Sequence, residues 1–114
     1  MRPEVALGDV VKAVNGEVIC AGQYAHVRWV VSSGLMSDVL TTEEEDILLL
    51  SNLTTTQLAR TADMVGAHAM LVASGKPIPA DTVELATELG ISLIRTDLPV
   101  FEACHALSRL FFGK

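Results

Sequence analysis

Aromatic residues are scarce in this sequence of 114 residues: one Trp, one Tyr and three Phe make up 4% of it. A core with so few rings must be aliphatic. Half of the residues are hydrophobic and the mean hydropathy is +0.42, a composition that strands buried on both faces explain. Positive charge is scarce too, with 8 basic residues against 14 acidic ones, a net charge of −6. The basic residues are spread from Arg2 to Lys114 and form no stripe that could follow a phosphate backbone, which argues against nucleic acid as a partner. Cys20 and Cys104 are too few for a disulfide framework, and each sits among apolar neighbours, as reduced core cysteines do. No apolar run approaches the ~18 residues needed to cross a bilayer, and no basic segment leads into a long apolar one. The expectation is a cytoplasmic protein without a membrane partner, built as one domain over residues 1–114. A chain of this length buries roughly two-thirds of the surface its unfolded form exposes.

What the sequence does have is a repeated punctuation. In the stretch Trp29 to Asp38, WVVSSGLMSD, an apolar β-branched run stops at Ser32, Ser33 and Gly34 before a short helix from Leu35 to about Leu40. The runs Ile47–Leu50, Ala69–Ala73 and Ile91–Ile94 end in the same way, at Ser51 and Asn52, at Ser74, Gly75 and Lys76, and at Arg95, Thr96 and Asp97.

Helical signals lie between these runs. Thr54 with Gln57 spells a capping box, Leu53 with Leu58 a hydrophobic staple, and Leu58, Ala62 and Val65 an inner face closed by Gly66. Asp81 and Glu84 repeat the cap spacing, with Val83, Ala86 and Leu89 inside and Gly90 as the stop. Thr96 or Asp97 is placed to cap a last helix with Pro99 in its first turn. Its stripe is Val100, Ala103, Cys104, Leu107, Leu110 and Phe111, with Cys104 inside, His105 outside and Phe112 off the stripe. Towards the N-terminus, Asp9 caps a short helix to Val14, a strand covers Glu17–Cys20, and His26–Val31 reads as the first long strand. The acidic run Glu43 to Asp46 reads as a solvated loop. This alternation predicts a three-layer α/β domain with a mainly parallel sheet of about five strands and helices on both faces.

In open parallel sheets, ligands settle outside the carboxyl ends of the strands. Here those ends are Ser32 to Gly34, Ser51 and Asn52, Ser74 to Lys76, and Thr96 and Asp97, small hydrogen-bonding groups with one cation. Amides at the helix starts after Gly34 and Asn52, together with Lys76, could hold a phosphate or carboxylate; the same serines, asparagine and glycines also serve simply to turn the chain. The run Ala73–Lys76 is not a nucleotide P-loop, because Met70 stands where its first glycine should be and Pro77 replaces the magnesium-binding hydroxyl. No His or Cys pair has metal-ligand spacing, and no serine has a base and acid supplied by the sequence, so no catalytic or metal residue is expected.

The segments VVSSGLMSDVL at Val30–Leu40, Leu53–Thr61 with Arg60 and Thr61, and SGKPIPADTVELATELGISLIRTDLPVFEAC up to Cys104 together resemble the DRTGG domain family. The match runs through Ser33, Asp38, Arg60, Thr61, Gly75 and Pro77. The resemblance implies a regulatory or ligand-sensing module, since such domains occur fused to CBS-domain pairs and phosphate acetyltransferases. The N-terminal region of the serine kinase acting on the phosphocarrier HPr is similar, but the kinase part of that enzyme is a separate P-loop domain with no counterpart here. The combined expectation is a non-catalytic regulatory domain that binds a small anionic metabolite or nucleotide through Ser32, Ser33, Gly34, Asp38, Asn52, Thr54, Arg60, Thr61, Gly75 and Lys76. The alternative is an interaction module acting in trans on a metabolic enzyme. A homodimer is expected in either case.

Overall fold

Apolar runs whose every residue is buried on alternating faces form the centre of the computed structural model, which describes residues 3–113; Arg2 and Lys114 lie outside them. Strand β5 (Ile47–Ser51) sends Leu48 and Leu50 to one face and Ile47 and Leu49 to the other, all four fully buried. Strand β6 (Ala69–Val72) divides Ala69 and Leu71 from Met70 and Val72 in the same way. This period of two, with no polar side, requires helices on both faces.

With β4 (Trp29–Ser32), β7 (Ser92–Arg95) and β2 (Glu17–Cys20), these strands make a five-stranded sheet of order β2-β7-β6-β5-β4. The four strands β4 to β7 are mutually parallel, and β2 runs antiparallel along β7. Helices α2 (Met36–Val39), α3 (Thr56–Met64) and α4 (Ala80–Leu89) cover one face. The other face is covered by α1 (Leu7–Ala13) and α5 (Val100–Phe112), whose Ala103, Leu107 and Phe111 are buried. The expected three-layer α/β architecture with a mainly parallel five-stranded sheet is present.

Several local expectations are corrected. The run His26–Val31 is not one strand. His26–Val27 forms β3, which pairs with β1 (Val5–Ala6) in a small antiparallel sheet, and Arg28 lies between it and β4. All four capping readings also fail, those at Thr54 and Thr96 for a tertiary reason. Thr54 stays outside α3 because its carbonyl accepts the Thr82 hydroxyl of α4 at 2.8 Å, and Thr55 takes the cap position without a side-chain bond. In α4 Pro79 stands at the cap, and its carbonyl accepts from the Thr82 and Val83 amides; Asp81 lies inside the first turn. Thr96 cannot cap α5, since its hydroxyl donates to the Val14 carbonyl at 2.7 Å, and Pro99 occupies the cap position. Helix α1 starts before Asp9, with the Leu7 amide bonded to the Ala25 carbonyl. The glycine stops are as read: Gly66 and Gly90 are both left-handed, at φ of 70° and 71°.

Candidate functional site

The parallel register brings the four polar strand ends into one row. Ser32 lies opposite Leu50, Ser51 opposite Val72, and Val72 opposite Arg95, so the turns after β4, β5, β6 and β7 share an edge of the sheet.

In the first turn the Ser33 amide donates to the Leu50 carbonyl, and its hydroxyl both accepts from the Leu35 amide (2.9 Å) and donates to the Leu35 carbonyl (3.1 Å). Ser33 therefore shapes the turn, while Ser32 and Gly34 face outward, exposed. A side chain added at Gly34 would come within 3.9 Å of Asn52 Oδ1, so the first and second turns abut. Ser51 is buried and its hydroxyl accepts from the Leu53 amide, leaving Asn52 as the exposed polar group of the second turn.

The third turn is held by backbone. Ser74 and Gly75 are left-handed in succession, φ 67° and 62°, and their amides donate to the Leu98 and Thr96 carbonyls, both at 2.8 Å. Those amides are spent, and the exposed Lys76 is what the turn offers. Gly75 is required for a second reason, because a Cβ there would lie 2.8 Å from Asp97 Oδ1. That carboxylate opposes an anion beside β7. The favourable place for negative charge is accordingly toward Gly34 and Asn52.

Helices α3, α4 and α5 all start at this edge, and none of their cap residues makes a side-chain hydrogen bond, although in the first turn of α4 Asp81 Oδ1 accepts from the Thr82 amide at 2.9 Å. Their first-turn amides leave positive partial charge here.

The remaining predicted residues fall further out. Asp38 is exposed on α2, with its backbone carbonyl accepting from Thr41. Thr54 is committed to Thr82 through its carbonyl. Arg60 and Thr61 lie in the second turn of α3, Arg60 exposed and Thr61 on the buried side with Leu58 and Ala62.

The sequence did not single out a cleft on the α5 side of β4, of about 190 Å³. Trp29, Val30 and Ser32 form one wall, and α5 supplies the other with Cys104, Ser108 and Phe112. Trp29 meets Phe111 edge-on at a centroid distance of 6.3 Å and Phe112 at 5.6 Å. The available signal was the chain's single tryptophan, at the start of a strand whose end was already under suspicion.

At the opposite end of the sheet Asp46, left-handed at φ 55°, binds Arg28 Nε at 3.2 Å and His68 Nε2 at 3.1 Å. The acidic run is thus not wholly solvated. His68 Nδ1 lies 2.7 Å from the His26 carbonyl, and Tyr24 stacks on the ring at 3.8 Å. With both nitrogens engaged, His68 has no atom left for a substrate. The cluster fastens the β1–β3 layer to the sheet. Among the described residues no group of three His, Cys, Asp or Glu is placed to hold a metal, and no helix is long and apolar enough to cross a membrane.

The structure is similar to that of the CBS and DRTGG domains of the regulatory region of Clostridium perfringens pyrophosphatase, solved with its activator diadenosine tetraphosphate. The TM-score is 0.72 over 90% of this chain. This chain has a DRTGG-like fold. The match takes in 46% of the pyrophosphatase chain at 14% identity, so the likeness is one of fold. No protein-family model and no curated protein sequence matches the chain.

Proposed function

We propose that this chain is a non-catalytic, cytoplasmic regulatory domain that binds a small anionic metabolite or nucleotide at the carboxyl ends of β4 to β7. The observation that carries the reading is the row of polar turns: exposed Ser32, Gly34 and Asn52 side by side, Lys76 beyond them, and three helix starts without side-chain caps. The similar pyrophosphatase regulatory region was solved with a nucleotide polyanion, which supports a ligand of that class. Ser32, Gly34, Asn52 and Lys76 would contact the ligand. Ser33 and Gly75 would shape the turns, and Asp38, Thr54, Arg60 and Thr61 would support them.

A thermal-shift screen against nucleotides, acetyl phosphate, coenzyme A and sugar phosphates tests this. A ligand at ~100 times its dissociation constant adds about 2.7 kcal/mol, enough to raise the midpoint by roughly 10 °C. A flat screen would overturn the reading.

A second reading is an interaction module acting on a metabolic enzyme or on itself as a homodimer. One observation favours it: Phe101 and Phe112, 84% and 61% exposed, are eleven residues apart and share one stripe of α5. Sedimentation that returns a monomer at micromolar concentration would remove the homodimer.

A further inference from the structure

We infer that the cleft between β4 and α5 is a nucleobase site, so that the ligand of the strand-end turns is a purine nucleotide rather than a non-aromatic anion. The inference rests on the anion-binding reading above and specifies its ligand. Val30 and Ser32 are two residues apart on β4 and point to the same face, the one α5 covers. The cleft therefore runs along the strand from Trp29 and ends at Ser32, the residue that opens the first turn. A group seated in it can continue past Ser32 toward Gly34 and Asn52, which lie against each other.

Size and chemistry select the occupant. At about 190 Å³ the cleft is smaller than the ~300 Å³ at which pockets for whole drug-sized ligands begin, so it accommodates a ring system and not a complete nucleotide. The walls are apolar and carry Trp29, Phe111 and Phe112, suited to a flat aromatic ring and unsuited to a sugar. The polar groups are hydroxyls of complementary use. Ser108 Oγ spends its proton on the His105 carbonyl at 2.8 Å and can only accept. Ser32 Oγ faces the Cys104 thiol at 3.8 Å and keeps its proton to donate. One acceptor and one donor at the edge of the slot match a base with an exocyclic amine and a ring-nitrogen acceptor, and the aromatic walls of Trp29, Phe111 and Phe112 favour the larger purine ring over a pyrimidine. An acyl chain would use neither the lone pair left on Ser108 Oγ nor the proton of Ser32 Oγ.

Trp29 is the chain's only tryptophan, so its emission reports on this cleft. The full chain is titrated with AMP, GMP, adenosine and inorganic phosphate, following Trp29 fluorescence and, in parallel, the thermal midpoint. The expected result is saturable quenching by AMP or GMP, at least tenfold weaker binding of adenosine, and no change in emission with phosphate. Ser108→Phe fills the cleft and should weaken the nucleotide at least tenfold while leaving tripolyphosphate binding, measured by calorimetry, unchanged. Circular dichroism establishes that the variant is folded, and the wild-type titration decides the matter if it is not. A midpoint raised by nucleotide without any change in Trp29 emission would overturn the base site and leave the anion site standing. No response to any of the four compounds overturns the base site as well, and a flat wider screen would then remove the anion site.

Discussion

Gly22→Ala should be among the most damaging single-methyl additions in this chain. A Cβ at position 22 would lie 2.3 Å from the Gly90 carbonyl oxygen, 2.5 Å from the Ser92 amide nitrogen and 2.7 Å from the Ile91 carbonyl carbon. All three are backbone atoms at the junction of α4 and β7, so no side chain can swing away. The segment must lift, and lifting it breaks the bonds from the Gly22 amide to Ser92 Oγ (2.8 Å) and from the Gln23 amide to the Gly90 carbonyl (2.9 Å). Overpacking costs about 1–3 kcal/mol and each neutral hydrogen bond about 1 kcal/mol, giving roughly 3–5 kcal/mol in all. Against a total stability of about 6–17 kcal/mol for a chain of this length, that is a large fraction. The thermal midpoint should fall by at least about 12 °C. Gly8→Ala is the control. It lies within α1 with nothing within 4 Å of its added Cβ, and should gain up to about 1 kcal/mol. Equal midpoints for the two variants would refute the reasoning.

Thr96→Val removes the hydroxyl that donates to the Val14 carbonyl and accepts from the Leu98 amide in a buried position, and should cost about 2 kcal/mol in urea unfolding. Asp46→Asn weakens the half-exposed pairs to Arg28 and His68; a loss of about 1 kcal/mol is expected in 0.1 M salt and less in 1 M, read from the same unfolding curves. Lys76→Ala should leave the thermal midpoint of the free protein within about 2 °C, because the residue is exposed, while weakening a bound polyanion at least fivefold by calorimetry.

The parallel sheet was legible because its signal is local. Leu48, Leu49 and Leu50 are apolar without interruption, and Gly66 and Gly90 stop helices by their own backbone freedom. The helix starts were not, because Thr54 and Thr96 are drawn away by Thr82 and by the Val14 carbonyl, partners 28 and 82 residues distant in sequence. The division of His26–Val31 was hidden for a related reason. Arg28 donates its amide and its guanidinium to Asp46, and β3 finds its partner in β1. In the candidate site the row of turns followed from strand punctuation alone. The cleft depended on α5 crossing back to the edge strand, which juxtaposes Trp29 with Phe111 and Phe112, a contact across about eighty residues that no periodicity encodes.

The most direct test of the account is an amide chemical-shift map of the isotopically labelled chain titrated with ATP. The account predicts that perturbed signals gather at residues 32–34, 52–56 and 74–76 and, with the base in the cleft, at residues 29–30, 104 and 108. Perturbations at His26, Asp46 and His68, at the far end of the sheet, or a spectrum unchanged at millimolar ATP, would contradict it.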